Sequence, residues 1–295
     1  YYLPRGETCP FATAIGLSPL AAMAACAPSP IPEPELTGML AGEAVKLVKC
    51  ETNDLEVPAD AEIIIEGEIC PDYKVEEGPF GEYTGYRTSP RDFRVTFRVN
   101  CITYRNNATM TISNMGVPQD EGQLLRSFSL GLELDKLLRS QGIPITGVYM
   151  HPRSTHHMMI VGVKPTYAGI AMQIAQLAFG SKLGPWFHMV MVVDDQTDIY
   201  NWDEVYHAFC TRCNPERGIH VFKNTTGTAL YPHANPHDRK WSIGSQVLFD
   251  CLWPVDWDKI NDVPSLVSFR NVYPKDVQDK VLSNWTNYGF APVAR

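Results

Sequence analysis

Between positions 93 and 104 the sequence sets Val95, Phe97 and Val99 against Arg94, Thr96 and Arg98. A period of two fits an extended strand with one apolar face and does not fit a helix. Residues 45–50, 62–69 and 108–115 carry the same rhythm more loosely, so this region reads as sheet. After residue 118 the period changes. Leu124, Leu125, Phe128, Leu132, Leu134, Leu137 and Leu138 follow helical spacing, with Gly142 as the stop, which predicts a helix over 118–141. Strands at 145–150, 157–163, 188–193 and 219–222 then alternate with helices at 166–179 and 203–210, the rhythm of βαβ units. A chain that switches period in this way is a mixed α/β (α+β) protein.

Ahead of the sheet, Ala, Leu and Met around Ser18-Pro19 predict a helix over 11–27. It ends at Pro28-Ser29-Pro30-Ile31-Pro32, and a short helix over 33–42 follows. At the far end, Val277, Val281, Leu282 and Trp285 share a stripe over 274–289. That amphipathic helix either folds back on its own domain or docks on a partner subunit.

At 295 residues the chain makes two compact units or one large α/β body. A net charge of -8 without a Lys/Arg cluster argues against nucleic acid and toward small molecules or other subunits. No apolar run reaches bilayer length, and no basic start leads a hydrophobic core, so the expectation is a cytoplasmic chain with no membrane partner. The 8 cysteines read as buried, reduced thiols. Cys210-Thr211-Arg212-Cys213 has no second C-x-x-C or nearby histidine pair to complete a zinc site. The chain opens on Tyr1 without an initiator Met, which suggests that it begins inside a longer protein.

Glu77 and Glu82 flank a Gly-Pro-Phe-Gly turn. Five apart in an unbroken strand they would face opposite ways, so a bend is needed to bring both carboxyls to one cavity. An acid beside Phe80, Tyr83 and Tyr86 would hold its proton near neutral pH and serve as a general acid. The plain alternative is a surface hairpin with two solvated glutamates. A glycosidase pair also fits two facing carboxyls.

Glu77-Gly78-Pro79-Phe80-Gly81-Glu82 is one of several stretches that carry a likeness, with Pro10-Phe11-Ala12, Leu47-Val48-Lys49-Cys50, Ile102-Thr103-Tyr104-Arg105-Asn106-Asn107, Thr211-Arg212-Cys213 and Tyr273-Pro274-Lys275. Over nearly its whole length the chain resembles the UbiD family of reversible, non-oxidative decarboxylases that use prenylated FMN, in its ferulic acid decarboxylase-like branch. The resemblance implies a split-barrel type flavin-binding domain (1–117), a linking helix (118–141), an α/β oligomerisation domain (142–255) and a C-terminal helical extension (256–295). It implies Glu82 as proton donor and Glu77 as its partner in an ionic network with an arginine, expected from sequence before Tyr1 together with the Asn and His that complete the metal site.

Glu33 falls where the family ligates manganese (Mn2+), and Ala27 and Pro28 fall at the cofactor. Lys182 matches a lysine that contacts the flavin phosphate. Ala25, Cys26 and Arg212 match a potassium (K+) site. The substrate cavity corresponds to Gly122, Arg126, Trp186, His188, Thr228 and Leu230. Where cinnamate-type relatives are apolar, Arg126, His188 and Thr228 are polar, so a hydroxylated aromatic acid, protocatechuate- or gallate-like, is expected over cinnamate. His151, His156 and His157, near the start of the second domain, either add to this polarity or lie at the surface. The implied partners are further copies of the chain, as a homodimer or larger assembly, and a flavin prenyltransferase that supplies the cofactor. A truncated homologue that acts only in subunit assembly is the competing expectation.

Overall fold

Residues 11–15, expected to begin a helix, belong instead to the strand β1 (Cys9–Ile15). This computed structural model describes residues 1–88 and 90–291, so the last four residues of the expected C-terminal extension lie outside the described residues. Helix α1 (Pro19–Cys26) starts only where the Ser18 hydroxyl accepts from the Ala21 N–H at 3.3 Å. Helix α2 (Glu33–Ala41) follows the proline run, and the short strands β2 (Leu47–Lys49) and β3 (Glu56–Pro58) pair with each other.

The long hairpin β4 (Ile63–Glu77) and β5 (Asp92–Tyr104) explains why β1 is a strand. Phe11 pairs with Gly67 and Thr13 with Ile65, and the Phe11 ring meets Phe97 at 4.5 Å, so a vacant edge of β4 outweighs the helical propensity of the segment. The sheet order is β1-β4-β5. Residues 108–115, expected as a strand, are irregular, with Met110 64% and Ile112 79% exposed. No strand pairs with them among the described residues, and strand propensity without a partner makes no sheet.

Helix α3 (Glu121–Ser140) begins with a capping box and presents Leu130, Leu134 and Leu138 to the second core. It therefore packs as a layer on the second sheet and does not stand free between two bodies. That sheet contains β6 (Ile145–Met150), β7 (Met158–Val163), β8 (Met189–Asp194), β9 (Ile219–Thr226) and β10 (Ile243–Asp250) in the order β6-β7-β8-β10-β9. β7, β8 and β10 run parallel, with antiparallel β6 and β9 at the edges. Helix α4 (Ile170–Gly180) joins α3 over Met159, Val161, Val190 and Val192. On the other face, α5 (Trp202–Arg212) buries Val205 and Ala208 against Ile160, Met191 and Val193. Burial on both faces is why these strands read as unbroken apolar runs.

β10 escaped the sequence reading because Gly244, Ser245 and Gln246 hide its period. Gln246 is 4% exposed and its amide donates to the Gly184 carbonyl at 2.9 Å, so a polar residue sits legitimately inside. Helix α6 (Pro236–Trp241) precedes it. Of the 8 cysteines, Cys50 and Cys251 are buried and Cys26 and Cys210 exposed, which corrects the expectation of uniformly buried thiols.

By contact the chain divides into two units, Tyr1–Leu252 and Trp253–Arg295. The second holds α7 (Phe269–Val272) and α8 (Lys275–Ser283), after which the Trp285 ring stacks on Phe290 at 4.5 Å. No helix among the described residues is long and apolar enough to cross a membrane.

Candidate active site

The loop 78–91 at the tip of the β4–β5 hairpin carries Glu82. Arg91 closes its base, donating from Nε to the Gly78 carbonyl at 2.9 Å and from Nη1 to Glu76 Oε2 at 3.2 Å. Inside it, the Glu82 N–H donates to the Tyr86 carbonyl at 3.0 Å and the Gly85 N–H to the Glu82 carbonyl at 2.9 Å. Gly85 has φ +80, and a Cβ there would stand 3.2 Å from the Val117 Cα, so only glycine suits this turn.

The loop is tied to α3 by Gln123, which is fully buried. Its Nε2 donates to the Tyr83 carbonyl at 2.6 Å while its Oε1 accepts from the Asp120 N–H at 3.0 Å. The bend does bring the two carboxyls within electrostatic reach. Burial pushes the Glu82 carboxyl above its ordinary range, and the charge of Glu77 pushes it further. Glu77 itself is exposed, and Arg94 Nε stands 3.8 Å from its Oε2. The same Arg94 pairs more closely with Asp92, Nη2 to Oδ2 at 3.2 Å. The apolar surroundings are narrower than expected: Tyr83 is buried, but Phe80 and Tyr86 are 52% and 63% exposed at the loop surface.

Beside the loop lies a cluster of rings. β7 and β8 pair in parallel with Met158 opposite Met189, so the residues just before them, His157 and His188, lie side by side with ring centroids 4.9 Å apart. Tyr83 meets His156 at 5.2 Å, Tyr231 meets His188 at 4.8 Å, and His233 stacks on Tyr231 at 5.2 Å. A cleft of about 370 Å³ is lined by Thr84, Tyr86, His157, His188, Pro232 and His233. It opens at the start of the parallel strands, opposite to the end that most open α/β sheets use.

His156, His157 and His188 are neutral at pH 7. Burial first, then neighbouring histidines, pushes His157 down to about 3 and His188 to about 4. Burial and Arg126 take His156 to about 4. This corrects the surface reading of His156, which is 3% exposed, and of His157, which lines the cleft. His151 is half-buried, with its Nδ1 accepting from the Arg153 N–H at 3.2 Å.

The tautomers follow from the partners. His156 Nε2 donates to the Gln123 carbonyl at 3.1 Å, which leaves Nδ1 as an acceptor. The Thr155 hydroxyl spends its proton on the Ser154 carbonyl, so it accepts from His157 Nδ1 at 3.2 Å and leaves His157 Nε2 an acceptor. His156 Nδ1, His157 Nε2, His188 Nδ1 and the Tyr83 hydroxyl are all buried without partners. Burial holds the Tyr83 hydroxyl protonated, up to about 12 despite Arg126. Buried polar atoms normally find partners, so a site with this many unpaired is suited to a polar guest.

Of the other expected cavity residues, Gly122 and Arg126 stand one turn apart on α3. Arg126 lies over the Trp186 ring with its Cζ 3.9 Å from the centroid, and its buried Nε has no acceptor. Thr228 and Leu230 lie in the loop after β9, where the Leu230 N–H donates to the Thr228 hydroxyl at 3.3 Å. Tyr231 and His233 of the same loop were missed by the sequence reading. Lys182 is exposed just past α4, six residues before His188.

Of the expected manganese ligands this chain supplies only Glu33. Glu33 heads α2, exposed, and with Ala25 lines a separate cavity of about 710 Å³. Cys26 is also exposed, and Ala27 and Pro28 are half-buried beyond it. No group of three His, Cys, Asp or Glu that would hold a metal occurs among the described residues. A manganese ion needs several oxygen or nitrogen donors, and the Asn and His expected beside Glu33 belong to sequence before Tyr1. Arg212, the third residue of the expected potassium site, lies at the end of α5. Its Nη1 donates to Asp194 Oδ2 at 2.6 Å, an ion pair with side chains only 8% and 12% exposed.

Comparison with known proteins agrees with this architecture. The profile described as the 3-octaprenyl-4-hydroxybenzoate carboxy-lyase Rift-related domain matches residues 1–118, and that of the same carboxy-lyase's C-terminal domain matches residues 123–251. The chain is 31% identical over 298 residues to ferulic acid decarboxylase 1 of Saccharomyces cerevisiae, covering 97% of this chain and 59% of that protein. It is 28% identical to pyrrole-2-carboxylic acid decarboxylase of Pseudomonas aeruginosa, with the same coverage of 97% and 59%. The UbiD-class enzyme HmfF of Pelotomaculum thermopropionicum, solved with FMN, superposes with a TM-score of 0.77 at 28% identity over 90% of this chain and 59% of that one. Vanillic acid decarboxylase of Sedimentibacter hydroxybenzoicus in its closed form gives 0.82 at 26% over 98% and 60%. The chain thus spans about three-fifths of the length of these relatives. With both domain profiles matched in order across the two sheets that frame the cleft, the chain belongs to the UbiD family.

Proposed function

We propose that the whole protein is a carboxy-lyase that reversibly decarboxylates a hydroxylated aromatic acid with prenylated FMN. The observation that carries this reading is the half-buried Glu82 carboxyl, held above its ordinary range by burial and Glu77, on a loop whose Thr84 and Tyr86 line a cleft with the neutral His157 and His188. Bound prenylated FMN supplies the electron sink for the carbon dioxide that leaves. The exposed Lys182 ammonium suits a flavin's phosphate. HmfF is solved with FMN and, as an evolved dimeric form, with prFMN, which supports both the cofactor and a homo-oligomer. A flavin prenyltransferase would supply the group.

The chain's own residues do the rest. His157 Nε2 accepts from a ring hydroxyl, and the Arg126 Nε–H donates to a substrate oxygen, so an analogue without hydroxyls leaves these atoms unpaired. The Trp186 ring under Arg126 keeps the guanidinium oriented. When the bond to the carboxylate breaks, its electron pair returns to the ring carbon, and the Glu82 proton is placed there. Solvent reprotonates Glu82. To test the reading, full-length protein with prenylated FMN is given 3,4-dihydroxybenzoate, gallate and cinnamate, and carbon dioxide is measured. Release from the hydroxylated acids and little from cinnamate is expected; release from none of them rejects the proposal.

A further inference from the structure

Arg239 lies on α6 and has the five coplanar N–H donors of a guanidinium. Every one goes to a main-chain carbonyl. Nε donates to Ala234 at 2.9 Å, Nη1 to Ala229 at 2.9 Å and to Thr88, and Nη2 to Tyr231 at 3.0 Å and Pro232 at 3.2 Å. No carboxylate is among these partners. Four acceptors belong to the loop 227–235, which carries Thr228, Leu230, Tyr231 and His233. The fifth, Thr88, belongs to the loop 78–91, which carries Glu82.

Both loops wall the cleft, with Thr84 and Tyr86 from one and Pro232 and His233 from the other. The other anchors of the acid loop lead elsewhere. Arg91 closes the hairpin base and Gln123 ties Tyr83 to α3. Arg239 reaches both walls. We propose that Arg239 is a positioning residue that locks the acid loop to the pocket loop, so that the two move as one body and the Glu82 carboxyl keeps its place relative to the cleft.

The geometry is specific to arginine. A lysine in its place offers three donors from a single atom and cannot span five carbonyls spread over two loops. Carbonyls left without a donor in a half-buried position favour local opening. The consequence for turnover rests on the proposed role of Glu82, whereas the coupling of the loops does not.

Hydrogen exchange on the full-length protein without cofactor reads the coupling directly. Four hydrogen-bonded amides report it: those of Glu82 and Gly85 in one loop and of Tyr231 and Ala234 in the other. In Arg239→Lys all four are expected to exchange about tenfold faster and by a common factor, while β7 and β8 keep wild-type protection. Acceleration confined to Tyr231 and Ala234 overturns the proposal, as does an equal acceleration across the whole chain. Should Arg239→Lys not fold, Arg239→Gln, with two donors, is read by the same criteria. Coupled exchange in a protein that releases no carbon dioxide rejects the decarboxylase reading and leaves the clamp in place.

Discussion

The Gln123 side-chain amide donates to the Tyr83 carbonyl at 2.6 Å, so the residue that follows Glu82 is pinned to the first turn of α3. The same side chain accepts from the Asp120 N–H at 3.0 Å and completes the helix cap. Gln123→Ala removes both bonds and leaves a buried carbonyl and N–H unpaired. A loss of about 3 kcal/mol is expected, read as a lower midpoint in chemical unfolding.

Glu77 acts on Glu82 through charge. Because burial is the larger cause of the raised Glu82 carboxyl and Glu77 the smaller, Glu77→Gln should lower the Glu82 pKa without returning it to the ordinary range. A general acid works while protonated, so the alkaline limb of the rate profile moves to lower pH. The measurement is turnover across pH for the two proteins, and an unmoved or rising limb contradicts the assignment.

The three depressed histidines make stability depend on acid. His156 and His188 near 4 and His157 near 3 are neutral in the folded state at a pH where unfolded histidines, near 6.5, take protons. Their contribution is fully present above about pH 6.5 and is lost as pH falls toward 4 and then 3. Unfolding at pH 5 should therefore take up protons, and His188→Phe should flatten the fall in stability between pH 6.5 and 4. Chemical unfolding at several pH values checks the slope.

Arg212 and Asp194 form a buried pair at 2.6 Å. Arg212→Ala leaves the Asp194 carboxylate buried without that partner, so a loss of about 3–5 kcal/mol is expected. Thermal unfolding reads it.

Much of the architecture was legible wherever periodicity and partner agreed, as in β5, β6 and α3. It failed where a neighbour distant in sequence decided. Phe11 and Thr13 lie in helix-forming company, but β4 claims them as a strand. Ile112 has strand-like neighbours and, among the described residues, no strand to pair with. At the site, Glu77 and Glu82 stood out because Gly78 and Pro79 force a bend. His157 did not, since nothing local reveals that β7 and β8 start in register and bring it against His188. Arg239 gave no signal either, because its five partners are carbonyl oxygens, which every residue possesses.

The proton-donor role of Glu82 is the centre of this account. Full-length protein reconstituted with prenylated FMN, in wild-type form and as Glu82→Gln, is assayed for carbon dioxide release from 3,4-dihydroxybenzoate with substrate affinity measured alongside. Release is expected to fall by at least about a hundredfold with affinity within about threefold, since the amide keeps the shape and loses the transferable proton. Equal rates for the two proteins would contradict the account.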